Sequence, residues 1–144
     1  MIFPKTAVTA SVNETEALGA ELGRHVVSIK NGVFIAMYGD LGAGKTAFVR
    51  GLSSVIAPKA HVCSPTYNIV NEYHGENALL CHFDMYRIES DDDLYSVGFY
   101  DYENCIIVAE WCEKTPFALP ESYIKVEILK TGENERCITL TEVV

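Results

Sequence analysis

The sequence predicts a single α/β domain, with three layers around a mixed, largely parallel sheet that carries one antiparallel hairpin. Three observations point there. Two short continuous apolar runs, VFIAMY at 33–38 and IIVA at 106–109, have the form of strands buried on both faces. Stretches with helical apolar spacing stand before and after the first of them. The 144 residues suit one core and are too few for two ordinary domains, so 1–144 is read as one unit.

Taken in order, Asn13-Glu14-Thr15-Glu16 predicts a helix start with Asn13 as N-cap. Ala17, Leu18, Ala20, Leu22 and Val26 then supply an apolar face that ends before Asn31-Gly32. After the strand at 33–38 comes a glycine-rich segment, and KTAFVRGLSSVI places Phe48, Leu52, Val55 and Ile56 at helical spacing. The middle reads as a hairpin, YNIVNEY (67–73) and ALLCHFD (78–84) around a turn containing Gly75. Ser90 to Asp93 begins a short acidic helix that Gly98 terminates. The strand at 106–109 runs into Glu110-Trp111, and two further strands, about 123–130 and 136–141, flank Thr131 to Asn134.

Composition excludes several classes. Eleven Lys+Arg against 20 Asp+Glu give a formal charge of −9, the wrong sign for a protein that grips nucleic acid by its field alone. No apolar run reaches the 18 residues a membrane helix needs, and the first residues lack a basic segment followed by a long apolar one. The five cysteines contain no C-x-x-C pair; Cys81, Cys105 and Cys137 sit in apolar runs and read as core residues of a reducing, cytoplasmic setting.

Gly39-Asp40-Leu41-Gly42-Ala43-Gly44-Lys45-Thr46 satisfies G-x-x-x-x-G-K-[ST] at every fixed position, between a strand and a helix. Glycine permits the positive φ and close approach that turn backbone N–H groups toward a triphosphate. The helix behind it aims its N-terminal N–H groups at the same place. Lys45 then reaches the β- and γ-phosphates and Thr46 takes a position on Mg²⁺. This is a P-loop NTPase-like fold binding ATP or GTP. The chain lacks the Asn-Lys-x-Asp segment that reads guanine, which favours ATP.

A second metal-side acid belongs at the end of a buried strand beside the loop. Glu110, after the cleaner apolar run, is preferred, which leaves Asp84 to orient or deprotonate the attacking water. Either carboxylate alone also fits a plain strand-end cap. Among the four arginines Arg87 is the internal choice to stabilise charge, though a structural ion pair serves as well. Trp111 suits the nucleotide or the core, and Ser64-Pro65-Thr66 suits a γ-phosphate-sensing loop or a proline-fixed turn.

Together these residues resemble the TsaE family (formerly YjeE), the small bacterial ATPases of tRNA threonylcarbamoyladenosine (t6A) biosynthesis. The resemblance rests on N-E-T-E…L-G at 13–19, the phosphate loop at 39–46, S-P-T-Y at 64–67, H-F-D-M-Y-R at 82–87 and E-W at 110–111, with a looser match at Arg136. It implies that Gly42 to Thr46 wrap the phosphates and that Thr46 and Glu110 hold Mg²⁺. Asp84 would serve hydrolysis, Thr66 the switch loop, Trp111 and Arg136 the nucleotide, and Thr15 the adenine. Ala47 stands where the family often has a second Thr, and its backbone N–H can still meet phosphate. The resemblance further implies a TsaB–TsaD partner complex that ATP hydrolysis resets, with tRNA reached through that complex and slow turnover by the chain alone. A small-molecule kinase and a nucleotide-gated interaction module that hardly hydrolyses ATP are the competing readings. The stretch Glu89 to Asp93 with Tyr95 is either a partner surface or a solvated helix start.

Overall fold

The computed structural model describes residues 1–40 and 42–144; Leu41, within the glycine-rich motif, lies outside the described residues. Seven strands form one sheet: β1 (Lys5–Thr9), β2 (Val33–Tyr38), β3 (Val70–His74), β4 (Leu79–Asp84), β5 (Ile106–Glu110), β6 (Tyr123–Lys130) and β7 (Arg136–Val143). Their order across the sheet is β1-β7-β6-β2-β5-β4-β3. The central strands β6, β2, β5 and β4 pair in parallel, and the outer pairs β1–β7, β7–β6 and β4–β3 are antiparallel. Among the described residues three α-helices complete the fold, α1 (Val12–Val26), α2 (Lys45–Ile56) and α3 (Asp91–Ser96), with short 3-10 turns between β-strands.

Each central strand alternates its side chains between two cores. Ile35 and Met37 of β2 and Ile106 and Val108 of β5 join Leu18, Leu22, Phe48 and Leu52 under α1 and α2. Phe34, Ala36 and Ala109 face the other way, onto Phe83, Met85, Leu94 and Phe99. Burial on both faces explains why the sequence shows unbroken apolar runs there. The two long helices touch through glycine: a Cβ on Gly51 would stand 1.9 Å from the Glu16 carbonyl oxygen, and one on Gly19 would stand 2.1 Å from that of Phe48.

Several sequence expectations shift. The first helix is capped by Ser11, whose Oγ accepts from the Glu14 N–H at 3.1 Å while Glu14 Oε1 accepts from the Ala10 N–H. The S-x-x-E at 11–14 therefore wins over Asn13, and the helix starts one residue before it. Ala17 lies exposed, and Gly19 and Gly23 take the inner face in its place. The hairpin's first strand begins at Val70, because Ile69 has a left-handed φ of 68° and accepts, through its carbonyl, from the Asp84 N–H. Strand β1 has no signal in the sequence pattern; Ala7 and Val8 break any apolar alternation, and its partner β7 lies at the other end of the chain.

Candidate functional site

Strands β2, β5 and β4 run in parallel, so their carboxyl ends open on one side of the sheet. The three ends carry the phosphate loop, Glu110 and Asp84, the place where open α/β sheets take ligands. Glu110 is in register with Met37 on one side and Asp84 on the other. Both carboxylates are nearly buried, at 6% and 8% exposure.

The loop has the backbone its sequence calls for. Gly42 and Gly44 adopt φ of 79° and 107°, and a Cβ on Gly42 would meet nothing within 4 Å, which leaves open space against the loop. Gly44 is the N-cap of α2 and, among the described residues, no side chain caps the first N–H groups of that helix. Ala43 donates its own N–H to the Asp40 carbonyl, and Asp40 is exposed. Lys45, 6% exposed, donates from Nζ to the Gly39 carbonyl at 2.8 Å and lies 3.9 Å from the centroid of the Trp111 ring. Thr46 and Ala47 are half-buried on the first turn.

Trp111 holds a left-handed φ of 63° that throws its indole out of the strand line, edge-on to Tyr86 at 5.1 Å. Thr66, Tyr67, Asp84, Tyr86, Arg87 and Trp111 line one cleft of about 500 Å³. Thr66 is exposed, its Oγ1 sharing a hydrogen bond with Ser64 Oγ at 2.7 Å. Arg87 pairs with no carboxylate among the described residues; its guanidinium donates to the Thr66 carbonyl, which pins the 64–66 segment over the cleft. Asp84 Oδ1 accepts from the Tyr86 N–H at 2.9 Å.

Arg136 approaches from β7. Its Nε donates to the Ala43 carbonyl at 2.7 Å and its second terminal nitrogen to that of Gly42 at 3.3 Å, while the first holds the turn carbonyls of Gly132, Glu133 and Glu135. Thr15 is buried and shares a 2.8 Å hydrogen bond with Thr9, which pairs with Arg136 across β1 and β7. The acidic stretch at 89–93 caps its own helix: Ser90 Oγ accepts from the Asp93 N–H, and Asp93 Oδ2 accepts from that of Glu89. The Tyr95 ring lies tilted against that of Tyr100, with 4.6 Å between their centroids.

Two residues that sequence reasoning did not select stand behind Glu110. His82 is fully buried, with Nε2 in hydrogen-bonding contact with Glu110 Oε2 and Nδ1 3.2 Å from the Tyr73 hydroxyl. The signal available was the two-residue spacing of His82 and Asp84, which puts both on one face of β4.

A sequence profile described as "Threonylcarbamoyl adenosine biosynthesis protein TsaE" matches residues 9–138. The chain belongs to the TsaE family. Among curated TsaE proteins it is 41% identical to that of Haemophilus influenzae over 98 residues, covering 67% of this chain and 62% of the relative. The Treponema pallidum protein is 31% identical, with 92% and 97% covered, and the Bacillus subtilis protein 33% identical, with 79% and 72% covered. Each is named a tRNA threonylcarbamoyladenosine biosynthesis protein. The crystal structure of Bacillus subtilis YdiB superposes with a TM-score of 0.79 at 28% identity, over 100% of this chain and 88% of the other. The phosphate loop, the 64–67 and 82–87 segments and Glu110-Trp111 all lie inside the matched region. No helix among the described residues is long and apolar enough to cross a membrane.

Proposed function

We propose that this TsaE-family chain is a Mg²⁺-dependent ATPase that supports t6A modification by binding and resetting a TsaB–TsaD complex in the cytoplasm. One observation carries the reading: Asp84 and Glu110 are register partners on adjacent parallel strands, beside the strand that feeds a glycine loop with Lys45 at its end.

The residues fit the groups they would hold. Thr46 and Glu110 are hard oxygen donors of the kind Mg²⁺ takes, and the uncapped first turn of α2 beside Gly42 offers N–H groups and space for phosphate. Mg²⁺ bound there would offset charge on the phosphate oxygens. Lys45 leaves the Gly39 carbonyl and the indole for the β- and γ-phosphates. Asp84 accepts a hydrogen bond from the attacking water and draws its proton away, its orientation fixed by the Tyr86 N–H. Thr66 meets the γ-phosphate end from the pinned 64–66 segment, and Trp111 packs beside the nucleotide. Arg136 steadies the loop from behind, and Thr15 borders the adenine end through the Thr9 contact.

A second reading, an ATP-gated interaction module with little hydrolysis, draws on a different observation. Tyr67 and Tyr86, 91% and 52% exposed, flank Trp111 at the cleft and leave an aromatic face that a partner would cover. The test is steady-state ATP hydrolysis by the chain alone and with TsaB–TsaD, beside Lys45→Ala. Turnover that rises with the complex and disappears in the variant is the expected result. Bound nucleotide without turnover in either condition would select the module.

A further inference from the structure

The Glu110 carboxylate is one end of a buried hydrogen-bonded line. Its Oε2 meets His82 Nε2, His82 Nδ1 lies 3.2 Å from the Tyr73 hydroxyl, and that hydroxyl donates to the Cys63 carbonyl at 2.9 Å or accepts from the Cys63 N–H at 3.2 Å. His82, Tyr73 and Glu110 are 0%, 4% and 6% exposed, so the line runs through low dielectric, where each link is strong and a missing link is costly. With Glu110 ionised, Nε2–H is the donor to it. Nδ1 then either accepts from Tyr73 or, with both ring nitrogens protonated, donates to the phenolic oxygen. In both arrangements Oε2 is engaged and, among the described residues, Oε1 accepts no hydrogen bond from protein.

The line joins two parts of the site that share no strand. Glu110 ends β5, whereas Cys63 opens the segment that leads to Thr66, and Asn71 adds a second hold on the Cys63 carbonyl at 3.2 Å. A buried polar trio whose strand partners include Leu80 and Val108 costs desolvation that apolar side chains of the same volume would not. Stability alone does not account for it.

We propose that His82 and Tyr73 are positioning residues: they hold Glu110 with Oε1 free for the metal and tie that orientation to the backbone at Cys63, so that metal ligation and the placement of the 63–66 segment are coupled. The inference rests on the reading of Glu110 as a metal-side ligand.

The test uses the whole chain with ATP and Mn²⁺, read by electron paramagnetic resonance of the metal and by alkylation of the exposed Cys63, located by peptide mass spectrometry. In Tyr73→Phe the ring stays and only the hydroxyl goes. His82→Leu removes both contacts, and His82→Gln restores a donor toward Glu110. The expected result is Mn²⁺ affinity about tenfold lower in His82→Leu, the usual scale for losing a residue that orients a metal ligand. A several-fold loss is expected in Tyr73→Phe, and near wild-type affinity in His82→Gln. Adding Mn²⁺ to the ATP complex should change Cys63 alkylation in the wild type and leave it unchanged in Tyr73→Phe. ATP binding in chelator should be equal throughout. Wild-type Mn²⁺ affinity in Tyr73→Phe, or alkylation there that still follows the metal, overturns the coupling, and that variant decides even if His82→Leu does not fold. Glu110→Gln separates the two levels: if it too keeps Mn²⁺ affinity, the ligand reading fails and this proposal falls with it. If it loses affinity while Tyr73→Phe and His82→Leu keep theirs, only the coupling is wrong.

Discussion

The ammonium of Lys45 rests 3.9 Å from the centroid of the Trp111 ring while donating to the Gly39 carbonyl. Trp111 is the single tryptophan, so the emission reports the surroundings of this one indole, Lys45 on its face and Tyr86 at its edge. Moving a cation off an indole face alters its excited state, and the contact forgone is about 0.5–2 kcal/mol. ATP should therefore give a saturable change in tryptophan fluorescence, absent in Lys45→Ala. An unchanged spectrum at ATP concentrations that saturate binding by calorimetry would show that Lys45 stays where it is.

Asp84→Asn keeps an oxygen for the Tyr86 N–H and removes the charge. Hydrolysis should fall about 100-fold or more, the low end for losing a general base, with ATP affinity within about threefold. Asp84→Ala should lose the same activity and also some thermal stability, since the Tyr86 N–H is left without its acceptor. Equal melting temperatures for the two variants would remove that structural role.

Arg136→Lys should fail to replace arginine. The guanidinium spans the Ala43 and Gly42 carbonyls and the β6–β7 turn at once, a fork that one ammonium cannot reproduce. Nucleotide affinity should drop about tenfold, roughly 1.4 kcal/mol, measured by calorimetry. An affinity equal to the wild type would mean that the loop holds its shape unaided.

Gly51→Ala places a methyl 1.9 Å from the Glu16 carbonyl oxygen, backbone against backbone, so the helices must separate. A loss of about 1–3 kcal/mol or more in urea unfolding is expected. Gly132→Ala, where the nearest contact is a side chain at 3.3 Å, is the control and should change little.

Burial pushes the Cys112 thiol up to about 12. An unfolded chain ionises that thiol near pH 8.5, so the stability it confers is whole below that pH and is lost as pH rises toward 12. Tyr38, also pushed up to about 12 by burial, adds to the decline above pH 10. Denaturant midpoints should fall from about pH 9 upward, and less steeply in Cys112→Ser, whose hydroxyl does not titrate there. Identical slopes in the two proteins would exclude Cys112 as a source.

How much was legible follows from which contacts are local. β2, the loop and α2 are contiguous, so apolar run, glycines and helical spacing locate them together, and Glu110 and Asp84 follow from strand ends. Ser11 is not distinguishable by sequence, because two acidic capping patterns overlap at 11–16 and only the chain's entry angle decides between them. β1 is an edge strand of five residues whose pairing is made with β7. His82 and Tyr73 are ordinary strand residues until β4 is set beside β5 and β3, because their meaning lies in register rather than in spacing.

The brace from Arg136 to the phosphate loop spans 93 positions in the chain. During synthesis the ribosome therefore delivers the whole glycine loop long before the side chain that closes behind it. A nascent chain halted at Lys130 would carry Lys45, Thr46, Asp84 and Glu110 yet lack β7, leaving β1 without its partner and β6 with a bare edge. The site matures only as that strand emerges, and a truncated product would expose an open sheet edge to other chains before it ever held a nucleotide.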